Sequence, residues 1–243
     1  MPIDSEDDKR PYRPDVAVLL PGSGSRSEFI ERAFGPALRH AGIPLLAPQP
    51  DPEFLVESSL ELLTAAATGH TRLLVGGVSI GAAIGVLWAA RNPGNTAAIA
   101  AALPAWTGEP HEAPAAHSAR HTSAQLRAHG LETVIRDMRA TSPAWLADEL
   151  DASWRKLWPG LPAALAQASE FSELTEAVLA AVPVPTGIAA ATDDPVHPWE
   201  TAKQWSAHLQ NSHITPVTLV DAGRDPAVLG HACLTSLRSL GAV

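Results

Sequence analysis

Gly77-Val78-Ser79-Ile80-Gly81 is a G-x-S-x-G string inside the uncharged run Leu73 to Ala90, where "RLLVGG" reads as a strand and "SIGAAIGVLWAARNP" as a helix. Glycines on either side of a serine let a strand turn sharply into a helix. The serine is then held in a strained backbone conformation with its Oγ projecting from the sheet edge. The N–H of Ile80, at the start of that helix, can stabilise an oxyanion. A serine hydroxyl is a poor nucleophile at neutral pH and needs a base, which an acceptor must orient. "IAAATDDPVHP" sets Asp193 and Asp194 just past the carboxyl end of a predicted strand. "DAGRDPAVLGHACL" sets His231 after the last strand, at or near the entry to the closing helix. In an open parallel sheet these carboxyl ends border one crevice, so residues distant in sequence meet there. The chemistry predicted is acyl transfer through a serine nucleophile.

The elements that must position these residues alternate. Strands are expected at "DVAVLLP", "IPLLAPQ", Leu73 to Gly77, "TAAIAAALP", "VPTGIAAA" and "ITPVTLVD". Helices are expected at "SEFIERAFGPALRHAG", "PEFLVESSLELLTAAATG", the run after Ser79, "WETAKQWSAHLQ" and "PAVLGHACLTSLRSLG". Such alternation implies right-handed crossovers and a mainly parallel sheet covered on both faces. From about residue 104 to 182 it gives way to an insertion rich in helix formers and tryptophan, which opens as a proline- and histidine-containing loop. Residues 73–90 carry no charge and are long enough to span a bilayer, but Gly76, Gly77, Gly81 and Gly85 fit a buried strand that turns and re-enters as a helix.

In this context the chain resembles the α/β-hydrolase superfamily. The resemblance rests on the strand leading into the Gly77 to Gly81 elbow, an acid after a later strand and a histidine near the end, and it runs from Val16 onward. It implies an α/β fold with about six parallel strands and a helical cap at the insertion. It implies Ser79 as nucleophile, His231 as general base and acid, and Asp194 as the group that orients the imidazole. Asp194 is preferred to Asp193 because "DPVHP" looks like the D-P-x-x-P loop of relatives. Where relatives often carry His-Gly after the first core strand, this chain has "LLPGSGSRSEF", so the second oxyanion N–H implied is that of Ser23. No metal or organic cofactor is implied. The expected activity is hydrolysis of carboxylic esters or thioesters of small to medium, largely apolar acids. A non-catalytic small-molecule binding protein on the same scaffold is the alternative.

Composition sets further bounds. A length of 243 residues suits one domain, and residues 1–14 are expected to form a flexible acidic tail. A net charge of -9 repels polyanions, which leaves a small-molecule ester or thioester, and a second copy in a homodimer, as expected partners, with no nucleic acid and no membrane span. The acidic, proline-flanked start has no apolar stretch of a secretory signal, so a cytoplasmic location is expected. Cys233, the single cysteine, reads as a small buried apolar residue. His197, His208 and His213 read as surface residues. His111, His117, His121 and His129 have loose metal-ligand spacing but read as a solvated loop.

Overall fold

A computed structural model describes residues 13–243. Most of the expected acidic tail, residues 1–12, lies outside the described residues. β1 (Val16–Leu20), β2 (Leu45–Leu46), β3 (Leu73–Val78), β4 (Thr96–Ala102), β5 (Thr186–Ala191) and β6 (Ser212–Val217) form one sheet in the order β2-β1-β3-β4-β5-β6. Every pairing is parallel. β1, β3, β4 and β5 are buried at every position, as strands covered on both faces must be, which explains their near-continuous Val, Leu, Ile and Ala runs.

Two apolar cores lie on the two faces. On one, α2 (Leu55–Gly69), α3 (Ile80–Arg91) and α8 (Trp199–His208) cover the sheet through Leu63, Ile84, Leu87 and Trp205. On the other, α1 (Ser27–His40) and α10 (Ala227–Ser239) cover it through Ile30, Phe34, Leu38, Leu234 and Leu237. α3 is buried from Ile80 through Ala89, and this accounts for the uncharged run around Ser79: both it and β3 sit in the middle of the molecule. Among the described residues no helix is long and apolar enough to cross a membrane.

Between β4 and β5 the chain forms α4 (Pro114–Thr141), α5 (Ala144–Leu157), α6 (Leu161–Glu170) and α7 (Glu176–Ala180). This insertion has an apolar cluster of its own, including Leu126, Ile135, Trp154, Leu161 and Leu165. Its two ends are tied together where the Trp106 indole N–H donates to the Phe171 carbonyl at 2.8 Å. Its opening is a loop as expected, but only as far as Ala113, so the loop is shorter than the histidine-containing stretch read from the sequence. Pro114 starts α4, so His117, His121 and His129 stand exposed on a helix that kinks at Gly130. Among the described residues no group of three or more His, Cys, Asp or Glu could hold a metal ion. The last expected strand is also shorter: β6 stops at Val217, and Leu219–Arg224 is a helix, α9.

Candidate active site

β3 runs into α3 without a loop, and Ser79 is the only residue between them. Its φ of 54° lies in the left-handed region, where a non-glycine residue stores about 1–3 kcal/mol of strain. That strain is held from both sides: the Ser79 N–H donates to the Ala102 carbonyl of β4 at 3.0 Å, and the Ser79 carbonyl accepts from the Ala83 N–H at 3.1 Å. The flanking glycines are required by close approach. A Cβ on Gly77 would lie 1.9 Å from the Leu20 carbonyl oxygen at a φ of +140°, and one on Gly81 would lie 2.5 Å from the carbonyl oxygens of Leu20 and Pro21. The elbow is therefore pressed against the end of β1, and the residue it lifts out, Ser79, is partly exposed.

The Ser79 hydroxyl meets an imidazole, but it is that of His197. Ser79 Oγ and His197 Nε2 are 2.9 Å apart, and His197 Nδ1 lies 2.9 Å from Asp194 Oδ2. A carboxylate only accepts, so Nδ1–H donates to Asp194, and Nε2 is left to accept the Ser79 hydroxyl proton. Asp194 and His197 come from one short loop after β5. Asp194 Oδ1 accepts the Val196 N–H at 2.7 Å, which closes a turn and brings His197 back over the other carboxylate oxygen. The Asp194 side chain is 5% exposed and that of His197 17%. Burial pushes the Asp194 carboxyl up, but the hydrogen bond and charge of His197, with the backbone N–H groups of Val196 and His197, outweigh it. The carboxyl is held below the usual aspartate range.

His231 is not brought to this place. α9 intervenes after β6, so α10 begins at Ala227 and His231 falls a full turn inside it. Leu229, Gly230, Cys233, Leu234 and Leu237 form the buried face of that helix, whereas His231, Thr235 and Arg238 are exposed on the opposite side. His197 takes the position expected of His231 and is not a surface residue. Its signal was present in "DPVHP", three residues from the acid, where a turn closed by Asp194 returns the imidazole to the carboxylate. The two adjacent acids separate as well: Asp193 is exposed and its Oδ1 accepts the Leu219 N–H at 2.7 Å, which anchors the loop to the start of α9.

Of the two residues expected to supply oxyanion N–H groups, Ile80 follows Ser79 directly in the chain and Ser23 lies in the turn after β1. Ile80 opens α3, 2% exposed. The turn that holds Ser23 is closed by Ser25 N–H donating to the Gly22 carbonyl at 3.0 Å. A Cβ built on Gly22 would be 3.8 Å from Ser79 Cβ, so this turn borders the serine directly. One built on Gly24 would be 3.0 Å from Trp154 Nε1, so α5 of the insertion lies against the same turn. Cys233 is buried, and desolvation pushes its thiol up to about 12, which keeps it protonated and inert.

No family model matches the sequence, and no curated protein matches it. Solved structures do match across nearly the whole chain. A thermophilic esterase from Thermogutta terrifontis superposes with a TM-score of 0.71 at 15% identity, covering 94% of this chain and 91% of that one. An enol-lactonase from Burkholderia xenovorans LB400 gives 0.66 at 15% identity, with 91% and 92% covered. A hydrolase from Pseudomonas aeruginosa PA01 gives 0.65 at 19% identity, with 92% and 89% covered. With its six parallel strands, its covering helices and these structural neighbours, the chain has the α/β-hydrolase fold.

Proposed function

We propose that this protein is a serine hydrolase acting on carboxylic esters or thioesters, with Ser79 as nucleophile, His197 as general base and acid, and Asp194 as the residue that orients the imidazole. The observation that carries the reading is the unbroken hydrogen-bond chain from Ser79 Oγ through both ring nitrogens of His197 to a buried carboxylate. Ser79 Oγ attacks the carbonyl carbon as its proton passes to Nε2. The oxyanion formed is stabilised by the N–H groups of Ile80 and Ser23, each worth about 3 kcal/mol in comparable sites. His197 then gives the proton to the departing alcohol or thiol oxygen or sulfur, leaving an acyl-serine. Water, deprotonated by the same nitrogen, attacks that ester and releases the acid and free Ser79. The ionised Asp194 stabilises the imidazolium formed in each half-reaction. The helical insertion is a cap over the site, and its tryptophans and apolar cluster favour largely apolar acyl groups of small to medium size.

A fluorophosphonate probe tests this reading. Wild-type protein is expected to be labelled at Ser79, His231→Ala at an undiminished rate, and His197→Ala at a rate lower by at least about 10²-fold, the usual worth of a general base. Folded wild-type protein that takes no label would overturn the mechanism. So would equal labelling of His197→Ala.

A further inference from the structure

The turn after β1 is pinned from two sides. On one it meets the elbow: a Cβ on Gly22 would stand 3.7 Å from the Val78 carbonyl oxygen and 3.8 Å from Ser79 Cβ. On the other it meets the insertion. A Cβ on Gly24 would stand 3.0 Å from Trp154 Nε1 and 3.9 Å from Leu165 Cδ2, so even a methyl group there requires turn or indole to give way. Ser23, between the two glycines, thus has its backbone held between the elbow and the Trp154 ring. The contact is one of shape. Trp154 is 6% exposed and its indole N–H finds no hydrogen-bond partner among the described residues, and neither does the buried hydroxyl of Ser25 in the same turn. Buried donors ordinarily find acceptors, and a joint that leaves two polar groups unpaired is costly to keep. The helix that carries the ring is itself fixed to the core toward both ends. Near the start of α5 a Cβ on Gly223 of α9 would stand 2.5 Å from Trp145 Nε1, and Glu149 pairs with Arg32 of α1. Near its end Lys156 Nζ lies 3.9 Å from Glu28 Oε1.

We propose, resting on the reading of Ser23 as an oxyanion donor, that Trp154 is a positioning residue for the oxyanion hole. Its ring, mounted on α5, holds the turn from Gly22 to Ser25 at the place from which the Ser23 N–H reaches the oxyanion. A tryptophan that only filled the apolar cluster of the insertion would act on stability, and one that only lined a substrate pocket would act on binding. A ring that places an oxyanion donor acts on the transition state, and so on the rate of the chemical step.

The experiment follows inactivation by the fluorophosphonate probe, whose phosphoryl oxygen takes the place of the oxyanion, and separates the maximal rate from the half-saturating concentration. Thermal unfolding confirms that each variant is folded. Trp154→Ala is expected to lower the maximal rate by about 10–10²-fold with half-saturation unchanged, a smaller loss than removal of a donor outright. Trp154→Phe, which keeps a ring and deletes the unpaired N–H, should react at close to the wild-type rate. Gly24→Ala should slow the wild-type protein but not the Trp154→Ala protein, where its methyl group has room; contact across the joint requires that non-additivity. An unchanged maximal rate in folded Trp154→Ala, or an effect confined to half-saturation, would overturn the positioning role and leave the serine mechanism in place. If Trp154→Ala does not fold, Gly24→Ala decides: a lower maximal rate at unchanged half-saturation supports the role, and a wild-type rate overturns it. Folded wild-type protein that takes no label would overturn the role and the mechanism together.

Discussion

In the mechanism proposed for Ser79, His197 and Asp194, the chemistry depends on which imidazole nitrogen carries the proton, and the group bonded to Nδ1 is the Asp194 carboxylate. Asp194→Asn would keep the size and the turn at Val196, but its amide can present a donor to Nδ1 and so favour the wrong tautomer. We expect kcat to fall by roughly 10³–10⁴-fold, the loss seen when a triad carboxylate becomes an amide, with KM little changed and the circular dichroism spectrum unaltered. A variant with near-normal kcat would show that the carboxylate does not set the tautomer. Of the three side chains that the structure joins, two were marked locally in the sequence, Ser79 by flanking glycines and Asp194 by the D-P turn. The histidine was not. A position near the end of the chain favoured His231, and nothing in "DAGRDPAVLGHACL" announces that a short helix will delay α10 until His231 has rotated to its outer face. His197 was marked only by its spacing from Asp194, a signal that means nothing until the turn between them is seen to close.

At the level of elements, the departures have the same origin: local capping chemistry overrode the expected alternation. Thr218 accepts from the Asp221 N–H at 3.0 Å and donates to its carboxylate at 2.8 Å, a reciprocal cap that starts α9 where the apolar run "ITPVTLVD" suggested continued strand. Pro114, at a first helical position where its missing N–H costs nothing, likewise starts α4 inside a stretch rich in proline and histidine. The six strands followed from apolar runs, since few alternatives bury so much Val, Leu and Ala. Helix packing was less visible, because it turns on single small residues. Gly230 lets α10 lie against α1: a Cβ there would stand 2.4 Å from the Ala33 carbonyl oxygen and 2.8 Å from Phe34 Cα, both backbone. Gly230→Ala must push the helices apart, at about 1–3 kcal/mol. Thermal unfolding should show Tm lowered by about 2–4 °C for each kcal/mol in a chain of this length. The neighbouring His231→Ala, on the exposed face, should change stability by less than about 0.5 kcal/mol. Equal Tm values for the two variants would show that α1 and α10 do not meet at Gly230.

Across the whole molecule, five carboxylates among the described residues are held below their ordinary range, and all bear on acid stability with one sign; Glu132 and Glu200 are exposed partners of Arg155 and Lys203, and the other three lie at separate places in the fold. Burial acts against Asp15, but the hydroxyl and N–H of Thr71, the N–H of Arg72 and the Arg72 charge outweigh it and tie the start of β1 to that of β3. Burial likewise acts against Glu28, which its own backbone N–H and the charges of Arg26 and Lys156 hold down near the start of α1. Asp194 is the third. A carboxyl depressed in the folded state binds fewer protons there than in the unfolded chain. Its contribution is complete above the unfolded value, near 4, and is lost as pH falls through the folded one. The three do not weigh equally. The side chains of Asp15 and Glu28 are 33% and 44% exposed, so solvent and salt screen their pairs, whereas Asp194 is nearly buried. The acid limb of the Tm profile should therefore owe most to Asp194. Acidification from neutral pH also relieves the repulsion of a net charge of -9, so the decline begins only when the carboxylates are themselves protonated. The difference in Tm between wild type and Asp194→Asn should stay constant from pH 7 to about 5 and shrink below about 4, while Asp15→Asn leaves the acid limb nearly unchanged. A wild-type advantage that persisted undiminished to pH 2 would mean that Asp194 is not the group whose protonation loosens the fold.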